Sequence, residues 1–187
     1  MKDLDAAVEL TGLSPEEAAA SVSIRAEVHL KNHEREAAIA DFSRAVETHG
    51  ISGPVRARAL YRRGMAKGAT ESAIADLTES LRAELPMGRG WRAFPLTARG
   101  MANAGLTKYT EAIADFTAAF DVADAPAAQR AAALFNRAAA YRQKGDLARA
   151  SADLESVSTF PGSPAELKKR ANALREALLG KKEPAQA

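Results

Sequence analysis

The stretch AIADF at residues 38–42 returns as AIADL at 73–77, as AIADF at 112–116 and, with two changes, as ASADL at 150–154. The four copies begin 35, 39 and 38 residues apart. Self-similarity at a period of roughly 20–50 residues is the sequence signature of stacked supersecondary units. This repeat therefore predicts the architecture of the chain before any other feature is considered.

A second matching element precedes each copy. It is an arginine followed by a small residue, at Arg25, Arg63, Arg99 and Arg137. The interval from this arginine to the aspartate of the repeated stretch is 16 residues in three copies and 13 in the second. Two helices can approach closely only where neither carries a bulky side chain at the crossing, and larger apolar residues follow at helical spacing. Each unit is therefore predicted to be a helix, a short turn and an antiparallel helix.

These residues resemble the tetratricopeptide repeat (TPR) family. The fourth copy carries the likeness best, with Arg137, Tyr141 and Gly145 at the family's positions, whereas the first and third copies have His29 and Asn103 where an aromatic residue is usual. The resemblance implies an all-α fold, an α-solenoid of about four TPR-like repeats in a single domain over residues 1–187. The repeats are predicted at about residues 19–52, 53–86, 93–126 and 127–162, followed by a capping helix at 163–180 and a disordered tail at 181–187.

Helix-start signals stand at both ends of the repeat array, SPEE at residues 14–17 and SPAE at 163–166. Each combines a hydroxyl cap, a proline in the first turn and a glutamate placed to reach back to the cap. The first signal predicts a helix to about Asn32, and the second predicts the capping helix. A shorter helix from Asp3 to Leu10 is predicted before them.

Composition narrows the class of protein. The chain has 187 residues, a formal net charge of +2, 5% aromatic residues and no cysteine, so neither a disulfide framework nor a thiolate zinc site is expected. No stretch approaches the roughly 20 apolar residues of a membrane span, and the first residues lack the basic and apolar regions of a signal peptide. A cytoplasmic protein without a membrane partner is expected.

The residues that could carry chemistry favour structural roles. The constant interval of the four Arg–Asp pairs indicates ion pairs within each repeat rather than ligand contacts. His29 and His33 stand four apart, a spacing that can bind metal, but no third ligand is evident and packing is favoured. No motif of a nucleophile, a phosphate loop or a carboxylate dyad is present. We therefore expect neither an enzyme nor a cofactor nor a metal.

Basic residues gather near the C-terminal end, at Lys168, Lys169, Arg170, Arg175, Lys181 and Lys182. Acidic residues are interspersed and no aromatic residues alternate with them to stack on bases, so a solubilising face is favoured over a nucleic-acid site.

The TPR resemblance also implies a binding surface, because the first helix of each repeat lines a concave wall in that family. Ten residues are assigned to it: Glu27, Lys31, Arg58, Tyr61, Arg62, Met65, Thr97, Met101, Phe135 and Arg142. The positions used by the subfamily that clamps a terminal carboxylate are occupied by other residue types, among them Ser23 and Glu27. The remaining mixture of apolar and cationic side chains suits a protein or peptide segment with apolar anchors and one or more acids.

Two functions are therefore kept open. The first is an adaptor that binds a protein or peptide segment in the concave groove. The alternative is a structural or assembly protein that forms a homo-oligomer through its repeats or through the loop around Trp91. In that loop, Trp91 and Phe94 are expected to begin the next helix and to pack onto the preceding one, since large aromatic side chains gain most from burial.

Overall fold

The computed structural model describes residues 12–82 and 88–180. In these residues the chain forms nine α-helices and one short 3-10 helix and contains no strand, which confirms the all-α class. The α-helices are α1 Pro15–Lys31, α2 Arg35–Glu47, α3 Gly53–Lys67, α4 Glu71–Arg82, α5 Ala93–Gly105, α6 Tyr109–Phe120, α7 Ala127–Gln143, α8 Leu147–Thr159 and α9 Ala165–Leu179. The 3-10 helix Arg89–Arg92 leads directly into α5.

Backbone contacts divide the chain into two compact units, residues 1–87 and 88–187. The first contains α1 to α4 and the second contains α5 to α9, and within each unit every helix packs on the one that follows it. The predicted single domain and the repeat boundaries stay predictions. Each predicted repeat corresponds to one helix pair, although α1 begins at Pro15, before the expected residue 19.

A three-residue turn closes each of the four helix pairs, and each turn holds one residue with a positive φ. These are His33 at 63°, Gly68 at 67°, Thr107 at 60° and Gly145 at 80°. Glycine adopts this left-handed region at little cost, so the turns after α3 and α7 use the expected residue type. The turns after α1 and α5 place a residue other than glycine, His33 and Thr107, in the same left-handed backbone conformation.

The second helix pair lacks three residues, and the structure shows where they are lost. The turn between α3 and α4 keeps its three residues. Helix α3 ends four residues after Arg63, whereas the other first helices continue for six residues after their arginine. Helix α4 begins five residues before Asp76, whereas the equivalent helices begin six residues before their aspartate. The shorter interval between Arg63 and Asp76 therefore comes from shorter helices and not from a shorter turn.

Small residues permit the close crossings within the pairs. A Cβ atom added at Gly64 would lie 2.7 Å from Cγ of Leu77, and one added at Gly100 would lie 2.6 Å from Cε1 of Phe116. Leu77 and Phe116 are each 1% exposed. The glycines are therefore required by close packing of a buried side chain against the partner helix.

The four predicted Arg–Asp ion pairs are present, each joining the first helix of a pair to the second. The distances from Nη2 to Oδ1 are 2.6 Å for Arg25–Asp41, 2.8 Å for Arg63–Asp76, 2.6 Å for Arg99–Asp115 and 2.8 Å for Arg137–Asp153. In every pair the arginine Nε also donates to the carboxylate. Because all four aspartates are buried, these bidentate contacts satisfy charges that would otherwise be costly to bury.

In three copies the residue four positions after the arginine is polar and lies beside the buried aspartate. Asn103 donates from Nδ2 to Oδ2 of Asp115 at 3.0 Å. Lys67 Nζ lies 2.8 Å from Oδ2 of Asp76, and the ring of His29 occupies the equivalent place beside its own aspartate. A polar group at this position therefore supports the buried carboxylate from a second side.

The two helix-start signals behave differently. At α1 both halves of the predicted capping box form, since Ser14 accepts from the Glu17 backbone and Glu17 accepts from Ser14. At α9 the same prediction is wrong, because the helix begins one residue later, at Ala165, and no side chain caps it. The buried hydroxyl of Ser163 has no hydrogen-bond partner among the described residues.

Helix α9 matches the predicted capping helix and also continues the repeat. Arg175 follows Arg137 by 38 residues, the interval that separates Arg99 from Arg137, and pairs with Glu155 of α8 at 3.0 Å. Glu176 stands where the preceding repeats have a small residue. The predicted helix from Asp3 to Leu10 and the predicted tail at 181–187 lie outside the described residues.

Candidate binding grooves

A cleft of about 390 Å³ lies between α1 and α3 in the first unit. Small residues line it, among them Ala20 and Ala59, together with the apolar side chains of Ile24 and Val55. Ile24 is 53% exposed, which is a high exposure for an isoleucine. The cleft therefore offers an apolar surface along one face of two neighbouring first helices.

Three predicted groove residues line this cleft, and all three are charged. Glu27 and Arg62 form an ion pair across it, with 2.7 Å between Oε1 and Nη1. Both side chains are half-exposed, so this pair contributes little to stability and can be exchanged for contacts with a partner. Arg58 is exposed and makes no hydrogen bond or ion pair with residues 12–82 or 88–180. The cleft thus combines apolar walls with two acidic and two basic side chains, of which Glu27 and Arg62 are paired and Arg58 is exposed.

Three further predicted residues lie on the same two helices. Met65 is 51% exposed on α3, and Lys31 is exposed at the end of α1. Tyr61 is partly buried, and this burial raises the pKa of its phenol while the nearby charge of Arg62 opposes the rise. Tyr61 is therefore less open to a partner than the prediction assumed.

A second cleft, of about 330 Å³, lies between α5 and α7 in the second unit. The predicted residue Met101, which is 55% exposed, lies on its wall. The other side chains that line it are small or neutral, including Tyr109, Asn136, Ala139 and Gln143. This cleft therefore has an apolar wall and amide groups, and no charged side chain among its described lining residues.

Two of the predicted groove residues are held by contacts with neighbouring helices. Thr97 is buried, donates its hydroxyl proton to the carbonyl of Ala93 and accepts a hydrogen bond from Gln129. Phe135 packs against the hydrophobic cluster formed by α7, α8 and α9, and the guanidinium of Arg170 lies 5.0 Å from the centre of its ring. The assignment of Phe135 to an open wall is therefore corrected, because the ring is partly buried against this cluster.

Arg142, the last of the ten predicted residues, is exposed near the end of α7. It is not among the residues that line the second cleft. The structure therefore brings Glu27, Arg58 and Arg62 together in the first unit, places Met101 in the second, and does not join Thr97, Phe135 or Arg142 to either cleft.

The two histidines considered for metal binding have separate surroundings. His29 Nδ1 lies 2.5 Å from Oε2 of Glu34, and its Nε2 lies 3.7 Å from Oδ2 of Asp41. His33 occupies the left-handed position of the turn. In the described part of the chain, no group of three or more histidine and acidic side chains is arranged to hold a metal ion.

The aromatic residues at the start of the second unit stack on each other. The ring centres of Trp91 and Phe94 are 5.7 Å apart with an interplanar angle of 28°. The 3-10 helix also passes against the loop before α7, where a side chain at Gly90 would collide with the carbonyl of Asp124. The two rings therefore pack against each other, whereas their packing onto the preceding helix stays a prediction.

Sequence analysis missed the residues that form most of the apolar lining. Ala20 and Ile24 stand four apart on α1, on the face that also carries Glu27. The signal available in the sequence was an isoleucine one helical turn from an alanine, but this pattern also fits a buried stripe. Asn136 and Gln143, seven residues apart on α7, were missed in the same way.

None of the described helices combines the length and the hydrophobicity that crossing a bilayer requires. No protein-family model matches the chain, and no curated protein matches it. Among solved structures the chain is similar to BtubC (BKLC) from P. vanneervenii, known from its crystal structure. The two share 16% sequence identity over the whole of this chain and 74% of that one, with a TM-score of 0.72. At this identity the likeness shows a shared fold.

Proposed function

We propose that this chain is a TPR-like α-solenoid that binds a protein or peptide segment along the exposed face of its first helices. The observation that carries this proposal is the position of the exposed large hydrophobic side chains. Among the described residues there are five, namely Ile24, Leu30, Met65, Met101 and Leu179. All of them lie on first helices or on α9, which continues the first-helix register.

The second helices supply the contrast. Their large apolar side chains, such as Phe42 on α2 and Phe116 on α6, are buried. Their exposed positions are filled by small or polar residues such as Ala40 and Ala114. Exposed apolar residues that gather on one type of helix favour a binding surface over chance exposure.

The two clefts suit different kinds of bound segment. The cleft between α1 and α3 offers apolar contacts beside the positive charge of Arg58, which favours an apolar residue close to an acid. The cleft between α5 and α7 offers the methionine side chain of Met101 and the amides of Asn136 and Gln143, which favours a neutral segment. Each cleft is large enough for a few side chains.

The test begins with partners captured from a lysate of the source cells, whose affinity is then measured by calorimetry with purified proteins. Ile24→Asp and Met101→Asp should each weaken binding at least tenfold, since each places a charge on the apolar wall. Matched controls are Ala40→Asp and Ala114→Asp, which introduce the same charge at exposed positions of second helices. The controls should bind as the wild type does.

Equal loss of affinity in the cleft variants and in their controls would contradict the proposal. Light scattering of the purified chain tests the alternative assembly function. A homo-oligomer that Ile24→Asp or Met101→Asp dissociates would show that these faces bind a second copy of the chain instead of another protein.

A further inference from the structure

We propose that the exposed side of α9 binds the same side of a second copy of this chain, with the two helices antiparallel about a twofold axis. The contact is separate from the proposed function, because Ile24 and Met101 lie on other helices. Three features of α9 support it, namely its register in the repeat, the residue types on its exposed side and the symmetric placement of their charges.

Helix α9 occupies the place of a first helix, and Arg175 marks its register. Arg137 donates to Thr117, twenty residues earlier on the preceding second helix, and Arg175 donates to Glu155 over the same interval. Each of the other first helices packs against a second helix that follows it. The described residues contain no helix after α9, so the corresponding side of α9 is not covered by any of them.

Three positions of a first helix face its own second helix: the residues six and three before the arginine, and the residue after it. In the four helix pairs these residues are apolar or glycine and are buried: Ala19, Val22 and Ala26 on α1; Ala57, Leu60 and Gly64 on α3; Ala93, Leu96 and Gly100 on α5; Ala131, Leu134 and Ala138 on α7. On α9 they are Lys169, Asn172 and Glu176, and all three are exposed. This side of α9 therefore does not suit the apolar second helix of the other pairs, and its partner must answer the charges of Lys169 and Glu176.

The two charged residues of this side are placed symmetrically. Lys169 and Glu176 are seven residues apart, which is about two turns and about 10 Å along the helix. A twofold axis perpendicular to α9, between Asn172 and Ala173, lays Lys169 of each copy opposite Glu176 of the other. A twofold interface requires such self-complementarity, because residue i contacts j and j contacts i. Neither charge has an ion-pair partner in residues 12–82 or 88–180, so both are available to a second copy.

Charge also selects the antiparallel arrangement. In a parallel pair Lys169 would face Lys169 and Glu176 would face Glu176, and like charges across an interface are unfavourable. Ala173 lies between the two charged residues and is exposed, so the helices can approach closely at the axis. Leu179, which is 47% exposed, follows Glu176 by three residues and adds an apolar contact at each end of the pair.

The size of the contact determines its strength. Helix α9 has 15 residues and is about 22 Å long. A pair of single helices of this length buries less than the roughly 1,200–2,000 Å² of a stable interface. Exposed ion pairs contribute little each and are screened by salt. The dimer is therefore expected to be reversible, to depend on protein concentration and to weaken as salt increases.

Sedimentation equilibrium of the full chain at low salt measures the dissociation constant of the dimer. Lys169→Glu and Glu176→Lys should each raise it about tenfold, because each variant replaces two attractive contacts across the axis by two repulsive ones. The double variant should return it to near the wild-type value. An equimolar mixture of the two single variants should form a heterodimer, since the acids of one chain then face the lysines of the other. Failure of both the double variant and the mixture to restore dimers would overturn the proposal.

Arg44→Glu and Glu36→Lys are the matched controls. Both residues are exposed on α2, and the two variants change the net charge as the α9 variants do. They should leave the dissociation constant unchanged, and equal weakening by the controls would attribute the association to net charge alone. A wild-type chain that is still monomeric at about 1 mM, where an association with a Kd of this order is half formed, would also overturn the proposal.

A cysteine tests the register directly, since the chain has none of its own. Ala173→Cys places a thiol beside the axis in both copies and should give a disulfide-linked dimer under mild oxidation. Ala177→Cys is the control, because Ala177 is also exposed on α9 but its two copies are separated by about 13 Å along the pair, beyond the reach of a disulfide. Equal cross-linking of the two variants would show that α9 does not pair in this register.

The two proposals fail in different measurements. Ile24→Asp and Met101→Asp should leave the dimer intact, and Lys169→Glu should leave the affinity for a captured partner unchanged. If the dimer dissociates with Ile24→Asp but not with Lys169→Glu, a first-helix face binds the second copy and the α9 contact is wrong. If the dimer behaves as expected while the cleft variants bind the partner normally, the proposed function is wrong and the α9 contact stands.

Discussion

The guanidinium of Arg137 donates from Nη1 to the hydroxyl of Thr117, 2.9 Å away and twenty residues earlier in the sequence. The same interval joins Arg63 to Ser43 in the first unit. Both arginines also donate hydrogen bonds to the aspartate of their own helix pair. One side chain therefore connects three helices, the two of its own pair and the last helix of the pair before it.

The first prediction concerns the buried ion pair of Arg99 and Asp115. Asp115→Ala should lower the free energy of unfolding by about 1–3 kcal/mol, because it removes the carboxylate that balances the partly buried guanidinium. The double variant with Arg99→Ala should recover part of this loss. Chemical denaturation of the four proteins measures the coupling. Two single losses that simply add would show that the residues do not act as a pair.

The second prediction concerns the close crossing of α5 and α6. Gly100→Ala should lower the free energy of unfolding by about 1–2 kcal/mol, because the overpacking against the buried ring of Phe116 exceeds the gain in helix propensity. Gly53→Ala is the control, since no atom lies within 4 Å of a Cβ placed there. Thermal unfolding of both variants gives the comparison. If Gly100→Ala were as stable as the control, α5 and α6 could move apart to accept the methyl group without loss of stability, and the prediction would be wrong.

The third prediction follows from the corrected position of Phe135. Phe135→Ala should destabilise the second unit by about 1–3 kcal/mol, because the ring packs against the cluster formed with α9. Met101→Ala, at an exposed wall of the cleft, should change stability by about 0.5 kcal/mol or less. Denaturant unfolding followed by circular dichroism measures both. Equal effects of the two changes would indicate that α9 does not cover Phe135.

The fourth prediction concerns pH. The Ser14 hydroxyl and backbone N–H donate to the Glu17 carboxylate and hold its pKa below the ordinary value. Since the folded state lowers this pKa, the stabilisation is present above the ordinary pKa of about 4.3 and is lost as pH falls through the lowered value. Glu17→Gln should therefore melt at a lower temperature than the wild type at pH 7, and the difference should shrink by pH 3. A difference that is constant over this range would contradict the capping-box contribution.

Much of the fold could be predicted from the sequence because the interactions that build it are local and repeated. The interval between Arg99 and Asp115 recurs in two other copies, so one pattern indicated both the turn and the ion pair. The shortened second pair could also be recognised in the sequence, because Arg63 and Asp76 are both present, although fewer residues separate them. Repetition of this kind gives several independent observations of each contact within one chain.

The candidate site was harder to predict because its residues depend on neighbouring helices. Phe135 and Met101 both lie on first helices, yet α9 covers the former and leaves the latter exposed. Thr97 points to the interior because a hydrogen bond from Gln129 on α7 satisfies it there. The role of Arg175 was missed because the other arginines pair with an aspartate on the following helix, and the described residues contain no such helix after α9.

The shortened pair of α3 and α4 indicates where this architecture accepts changes of length. Its three missing residues were taken from both helices beside the turn, and the turn itself was conserved in size. Because the loss lies beyond Arg63 and before Asp76, the ion pair between these two residues is kept, as is the contact of Lys67 with the aspartate. Insertions and deletions at the hairpin tips are therefore the changes that an evolving or engineered version of this chain can absorb with the rest of the helix pair intact.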